Sequence, residues 1–171
     1  TALVEAASGR VLEAGGRYVA GKYEQYRRGE PYRGLLIALR RLLAETVAAG
    51  GTTAEETAAR IQGVLSPNGA VLVDDLPELA ALLGAQPAVE EVLPTDARRR
   101  YERALLGLVG ALAAPGTPLL LFLDDLQWAD PGSLGLLQAL FVEHRCQGLV
   151  LVGAWRDNEV GDDHPLRRAL T

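Results

Sequence analysis

What the chain lacks narrows it first. Among its 171 residues there is no methionine and one cysteine, Cys146, which has no partner for an internal disulfide. That composition excludes a disulfide-stapled scaffold and fits a reducing, cytoplasmic setting. Aromatic residues make up 5%, so leucine, alanine and valine must fill the core. No apolar run approaches the about 20 residues that cross a bilayer, and no basic segment followed by an apolar stretch marks a secretion signal. Lysine occurs once, as Lys22. A net charge of -5 gives no electrostatic ground for nucleic-acid binding, so neither a direct nucleic-acid contact nor a membrane partner is expected. Arg27, Arg28 and Arg33 cluster, as do Arg98, Arg99 and Arg100. Both groups stand among acidic and apolar residues and read as solvated helix faces. His144 and His164 lack a cysteine or carboxylate at metal-ligand spacing and read as structural. Cys146 has no nucleophile's surroundings and reads as half-buried.

What is present is an ordinary globular composition, 49% hydrophobic and 23% charged, long enough for one domain with a core. Apolar spacing predicts helices over Ala2 to Ala14, ended by Gly15-Gly16, and over Tyr32 to Ala49, ended by Gly50-Gly51. Thr53 with Glu56 three positions on predicts a capping box for a helix from Ala54 to Leu65. One or two short helices are expected between Asp74 and Leu83, a linker from Gln86 to Pro94, and a helix from Asp96 to Ala113 capped by Thr95. Arg17 to Tyr23 alternates as a short strand. Leu119 to Leu123 and Leu149 to Ala154 are continuous apolar runs, the pattern of strands buried on both faces of a parallel sheet, with a helix from Pro131 to Glu143 between them. Strands alternating with helices predict a three-layer α/β fold.

The strongest chemical signal is Leu119-Leu120-Leu121-Phe122-Leu123-Asp124-Asp125. A buried strand ending in two carboxylates sets them at the carboxyl edge of the sheet, where open α/β sheets bind ligands. The first carboxylate then suits Mg²⁺, held largely through water, and the second suits orienting or deprotonating an attacking water. The same pair also suits a simple turn cap. Two other strings imitate nucleotide-site motifs. Gly16 to Lys22 matches G-x-x-x-x-G-K, but a helix precedes it, its residues favour strand, and Tyr23 rather than Ser or Thr follows, so it reads as plain strand. Val71-Leu72-Val73-Asp74-Asp75 is too short an apolar run, and Asp74 or Asp75 reads as a helix cap.

The stretch Asp124-Asp125-Leu126-Gln127-Trp128-Ala129-Asp130 resembles the Walker B region of STAND-type signalling ATPases. More narrowly, it is similar to the AAA-type ATPase modules of large multidomain bacterial regulators. These include LuxR-type transcription regulators and proteins joining a Ser/Thr kinase, an ATPase and a sensor histidine kinase. Gly153 to Val160 with His164-Pro165-Leu166, and Ala20 to Tyr23 with Gln25-Tyr26, resemble the same group. The resemblance implies an α/β, three-layer P-loop NTPase sheet of the ASCE type, strand order 5-1-4-3-2. Strands 2, 3 and 4 would be present here, with a helical insertion after strand 2. It implies ATP and Mg²⁺ as cofactors, Asp124 as a metal ligand, Asp125 as the catalytic carboxylate and Arg156 as a sensor of the γ-phosphate. A surface arginine paired with Asp157 or Glu159 is the alternative for Arg156.

The family places a helix directly after its phosphate loop. Thr1, followed by a helix, is therefore expected to be the last hydroxyl residue of that loop and a ligand of nucleotide-bound Mg²⁺, with the glycines and lysine upstream. Residues 1–171 are accordingly expected to be an internal piece of an ATPase domain. Asp at position 125, one methylene shorter than Glu, implies slow, switch-like hydrolysis. Two functions follow: an ATP-binding, slowly hydrolysing switch working with kinase, histidine kinase or DNA-binding domains of its own polypeptide, or a non-hydrolysing scaffold in which the helical segment from Tyr32 to Leu83 binds a partner.

Overall fold

The computed structural model describes residues 2–27, 29–88, 90, 92–114, 116–142 and 146–170, without the side chains of Ala2, Arg27 and Val142. Thr1, Arg28, Pro115, Glu143 and His144 carry expectations from the sequence and lie outside the described residues. The chain divides into two units, Thr1–Ala38 with Ala113–Thr171, and Leu39–Leu112.

The first unit is built on a sheet of three strands, β1 (Arg17–Lys22), β2 (Leu119–Asp124) and β3 (Leu149–Gly153). They lie in the order β1-β2-β3, and both pairs are parallel. This is the α/β arrangement expected from the alternation of apolar runs and helices. Parallel neighbours cannot be joined by a tight hairpin and need long crossovers. The chain supplies the second unit between β1 and β2, and α6 (Pro131–Val142) between β2 and β3. Lys22 stands opposite Asp124, and Leu123 opposite Gly153, so all three strands finish at one edge. Helix α1 (Ala2–Glu13) packs against β1 and β2, and α7 (Pro165–Ala169) against α6.

Leu119, Leu120, Leu121 and Leu123 are fully buried, as a continuous apolar run in a central strand requires. The matching expectation for β3 is corrected. That strand is only half-buried, with Val150 46% exposed, because it is an outer strand of the described sheet while β2 is flanked on both sides.

The second unit is helical. It holds most of α2 (Arg33–Ala49), then α3 (Gly51–Leu65), a 3-10 turn over Gly69–Leu72, α4 (Glu78–Leu83) and α5 (Pro94–Leu112). Helix α5 carries α3 and the 3-10 turn, and α4 packs on α3. Leu39, Leu42, Leu43, Ile61, Leu72, Leu76, Leu79, Leu105, Leu108 and Leu112 are fully buried, so leucine does fill this core. On the solvated start of α5, Arg98 pairs with Glu102 at 2.9 Å.

Three expected caps are corrected. Helix α3 starts at Gly51 with Gly50 as its N-cap and no side-chain capping bond, so Thr53 and Glu56 lie inside the helix. Helix α5 starts at Pro94, a favoured first helical residue because proline has no N–H to leave unpaired, so Thr95 is already helical. Asp75 is not a cap; it accepts a hydrogen bond from the Tyr101 hydroxyl at 2.6 Å, and α4 is preceded by Pro77. His164 is structural as expected: its Nδ1 accepts the Leu166 N–H at 3.1 Å and caps α7. Cys146 is half-buried, and burial pushes its thiol up.

Gly21 explains how β1 can deliver Lys22 to the sheet edge. A Cβ at position 21 would overlap the carbonyl of Gly34 in the first turn of α2 and come within 3.0 Å of Leu123. Gly34 is tight in turn, since a Cβ there would lie 2.7 Å from the ring of buried Tyr23. Glycine in a strand commonly marks such a close backbone approach. Gly21→Ala is therefore expected to cost about 1–3 kcal/mol through overpacking, read as a lower denaturation midpoint. Wild-type stability in that variant would mean the backbone contact is not rigid.

Candidate active site at the carboxyl edge of the sheet

The chain leaves β2 through Asp125, whose backbone is left-handed at φ 54, ψ 44. Aspartate tolerates that conformation better than most residues, though at a cost of about 1 kcal/mol. The turn separates the two carboxylates. Asp124 stays half-exposed and accepts the N–H of Asp125 at 2.9 Å. The Asp125 side chain folds under the edge and is 7% exposed.

Three groups converge on it. Lys22 Nζ lies 3.0 Å from Asp125 Oδ2 and 3.8 Å from Asp124 Oδ2. Gln127, itself buried, donates from Nε2 to Asp125 Oδ1 at 3.0 Å. Arg156 Nε stands 3.6 Å from the same oxygen, an ion pair rather than a hydrogen bond. Burial pushes the Asp125 carboxyl up. The hydrogen bonds from Lys22 and Gln127, with the charges of Lys22 and Arg156, outweigh it and hold the group below its ordinary value. In return, the hydrogen bond to Asp125 and the charges of Asp125 and Asp124 raise the Lys22 ammonium.

Arg156 follows β3 and has two sets of contacts. Its Nη1 meets Glu159 at 3.1 Å, and its guanidinium lies 5.3 Å from the centre of the Trp128 ring, within cation–π range. The surface ion pair with Glu159, posed by the sequence as the alternative to a sensor role, is thus formed, and the same guanidinium also reaches Asp125. The backbone beneath is stitched to the end of β2. The Ala154 N–H donates to Leu123, the Leu126 N–H to Ala154, and the Arg156 N–H to Gln127 Oε1 at 3.2 Å.

Asp130 has a different task. Its Oδ1 accepts the Ser133 N–H at 2.9 Å and its carbonyl accepts the Leu134 N–H at 3.0 Å, so it is the N-cap of α6, with Pro131 in the first helical position. Its Oδ2 accepts the Ser133 hydroxyl and, at 3.1 Å, the N–H of Tyr32, a residue held at φ 62. One buried carboxylate therefore fastens the approach to α2 to the loop after β2.

Asp124, Asp125 and Arg156, singled out from the sequence, are brought together; Thr1 lies outside the described residues. Lys22 and Gln127 were missed. Lys22 had a usable signal: it ends a strand parallel to one that ends in aspartates, and parallel strands share a carboxyl edge. Gln127 stands in the block that carries the family resemblance, but its bonds to Asp125 and to the Arg156 N–H depend on how the turn closes. The Gly16 to Lys22 string is the strand β1, as expected, with its backbone paired to β2.

Residues 1–152 match the AAA ATPase domain family. The chain belongs to that family. This AAA ATPase domain is also similar to the hybrid signal transduction histidine kinase G of Dictyostelium discoideum, 29% identical over 124 residues that cover 72% of this chain and 4% of that protein. No solved structure matches. Membership implies nucleotide binding, typically with Mg²⁺. The carboxyl edge suits such an ion, which takes one or two carboxylates and completes its shell with water and substrate phosphates; half-exposed Asp124 offers that. Among the described residues there is no cluster of three or more His, Cys, Asp or Glu side chains that would cage a metal by protein alone.

Because its folded value is lowered, the Asp125 carboxylate contributes stability that is present above the ordinary value of 3.8 and lost as pH falls through the folded value. Lys22→Gln removes the nearest cation and leaves burial less opposed, so the group should titrate at higher pH and the stability lost on acidification should shrink. Carboxyl ¹³C titration of Asp125 reads this directly. An unmoved titration would show that the ion pair does not hold the charge in solution.

Proposed function

We propose that this AAA ATPase domain is an ATP-binding and slowly hydrolysing switch of the STAND type within a larger signalling polypeptide. The observation that carries the proposal is the convergence of Lys22, Gln127 and Arg156 on one buried carboxylate beside the half-exposed Asp124, at the edge where α/β sheets bind ligands. Asp124 takes the role of metal ligand, together with the Thr1 hydroxyl, and bound Mg²⁺ supplies charge neutralisation to the phosphates. Asp125 orients the attacking water and accepts its proton, and Arg156 contacts the γ-phosphate. Such a site also needs a cradle of backbone N–H donors for the phosphates.

Slow turnover follows from the electrostatics. A carboxylate whose affinity for protons is lowered by a lysine and an arginine is a weak base. Proton transfer to Asp125 therefore needs those cations drawn elsewhere, and a triphosphate is the anion that draws them. Neighbouring kinase, histidine kinase or DNA-binding domains of the same polypeptide are the partners proposed to read the switch; similarity to a stretch of a hybrid histidine kinase supports a signalling context.

In the full-length protein, Asp125→Asn should lower turnover by about 100- to 10,000-fold, the usual contribution of a general base, while ATP affinity stays within a few-fold. Asp124→Ala should weaken Mg²⁺-dependent binding as well. Single-turnover assays and nucleotide titration separate the two. Parallel loss of binding and turnover in Asp125→Asn would refute the division of roles, and a wild-type protein that neither binds nor hydrolyses ATP would favour the scaffold.

A further inference from the structure

The loop after β2 contains one buried side chain that touches both the catalytic carboxylate and the sensor segment. Gln127 is 2% exposed. Its amide nitrogen faces Asp125 Oδ1 at 3.0 Å, and its amide oxygen faces the Arg156 N–H at 3.2 Å. The orientation is forced, because a flipped amide would set oxygen against carboxylate and NH₂ against N–H. An ordinary buried glutamine satisfies itself on whatever backbone is near. This one spans from the carboxylate at the end of β2 to the backbone of the residue that follows β3.

We propose that Gln127 is a positioning residue that ties the orientation of the Asp125 carboxylate to the position of the Arg156 backbone. This role rests on the ATPase reading above. Gln127 acts through Asp125, to which it donates. Any displacement of the segment after β3, as when Arg156 follows a phosphate, pulls on the amide oxygen and turns the same amide that fixes Asp125 Oδ1. The Lys22 contact is made to the other oxygen, Oδ2, so movement of Gln127 rotates the carboxylate about that anchor. The charged groups facing Asp125 are Lys22 from β1, Asp124 from β2 and Arg156 from beyond β3, with Glu159 pairing Arg156 from outside.

Two substitutions in the full-length protein separate positioning from mere packing. Gln127→Leu removes the bonds to Asp125 and to the Arg156 N–H. Gln127→Glu keeps an oxygen for the Arg156 N–H but sets a second carboxylate against Asp125. Amide hydrogen exchange at Arg156 in the nucleotide-free protein should quicken in Gln127→Leu and stay at the wild-type rate in Gln127→Glu. In both variants kcat should fall, on the order of a hundred-fold for a misplaced reacting group, with KM for ATP within about two-fold. Wild-type kcat in both variants, or equal loss of kcat and ATP affinity, would overturn the proposal while leaving the ATPase reading intact. Absence of any ATP turnover in the wild-type protein would overturn that reading and this role with it.

Discussion

A carboxylate buried at the end of a central strand stays charged only where partners replace the water it has lost. Asp125 meets that condition with groups from three places: Lys22 at the end of β1, Gln127 in its own turn, and Arg156 beyond β3. Neither Lys22 nor Arg156 is near Asp125 unless the three strands lie parallel and in register. The site is therefore a consequence of sheet assembly, and a one-residue slip of β1 would move Lys22 away from its place opposite Asp124. Breaking such an arrangement by removing one cation costs more than the pair is worth when intact, because a buried charge is left behind.

The same demand accounts for small residues at places where a side chain would otherwise be welcome. Gly21 and Gly34 let β1 and the start of α2 approach until backbone meets backbone, and Tyr23 covers Gly34. Gly153 leaves room for Leu126, which a Cβ there would overlap. Asp130 then holds Tyr32 and the first turn of α6 on one carboxylate. Each contact brings a loop at the sheet's carboxyl edge closer to its neighbour. Together they fix the turn in which Asp125 adopts a left-handed backbone that few residues other than glycine accept.

Much of this was legible in the residues themselves. β2 and β3 follow from apolar runs separated by helices and β1 from alternation, while the central place of Leu119 to Leu123 follows from the strand order that the resemblance implies. Asp124 and Asp125 were legible as the end of such a run. Helix starts were less so: Thr53, Thr95 and Asp75 all suited caps, yet α3 begins at Gly51, α5 at Pro94 and Asp75 pairs with Tyr101. A cap is decided by a single backbone bond, and a glycine or proline one turn earlier competes for it at similar energy. The place of Lys22 at the site is legible only from the parallel pairing of β1 with β2, because parallel strands end at the same edge. Asp130 had a signal as well, an aspartate before proline at the head of an apolar helix, which is the pattern of an N-cap.

The bonds that join β2 to β3 past their ends carry a final consequence. Ala154 donates to Leu123, Leu126 donates to Ala154, and Arg156 donates to the Gln127 side chain, so the ladder of the sheet continues for several residues beyond its last regular pair. The first two of these bonds are backbone to backbone and resist change. The third ends on a side chain, and a side chain turns about its own torsions at far lower cost than a strand slides. In the role proposed for Gln127, motion at the edge concentrates there, one step from the carboxylate. On the ATPase reading, this lets Arg156 respond to a phosphate while the sheet beneath it stays still, and the response reaches Asp125 through a change of hydrogen-bond direction, without strand movement. A switch built this way needs no large rearrangement within the unit that holds it. It needs only that the lysine and arginine holding Asp125 find a more highly charged anion than the aspartate they now share.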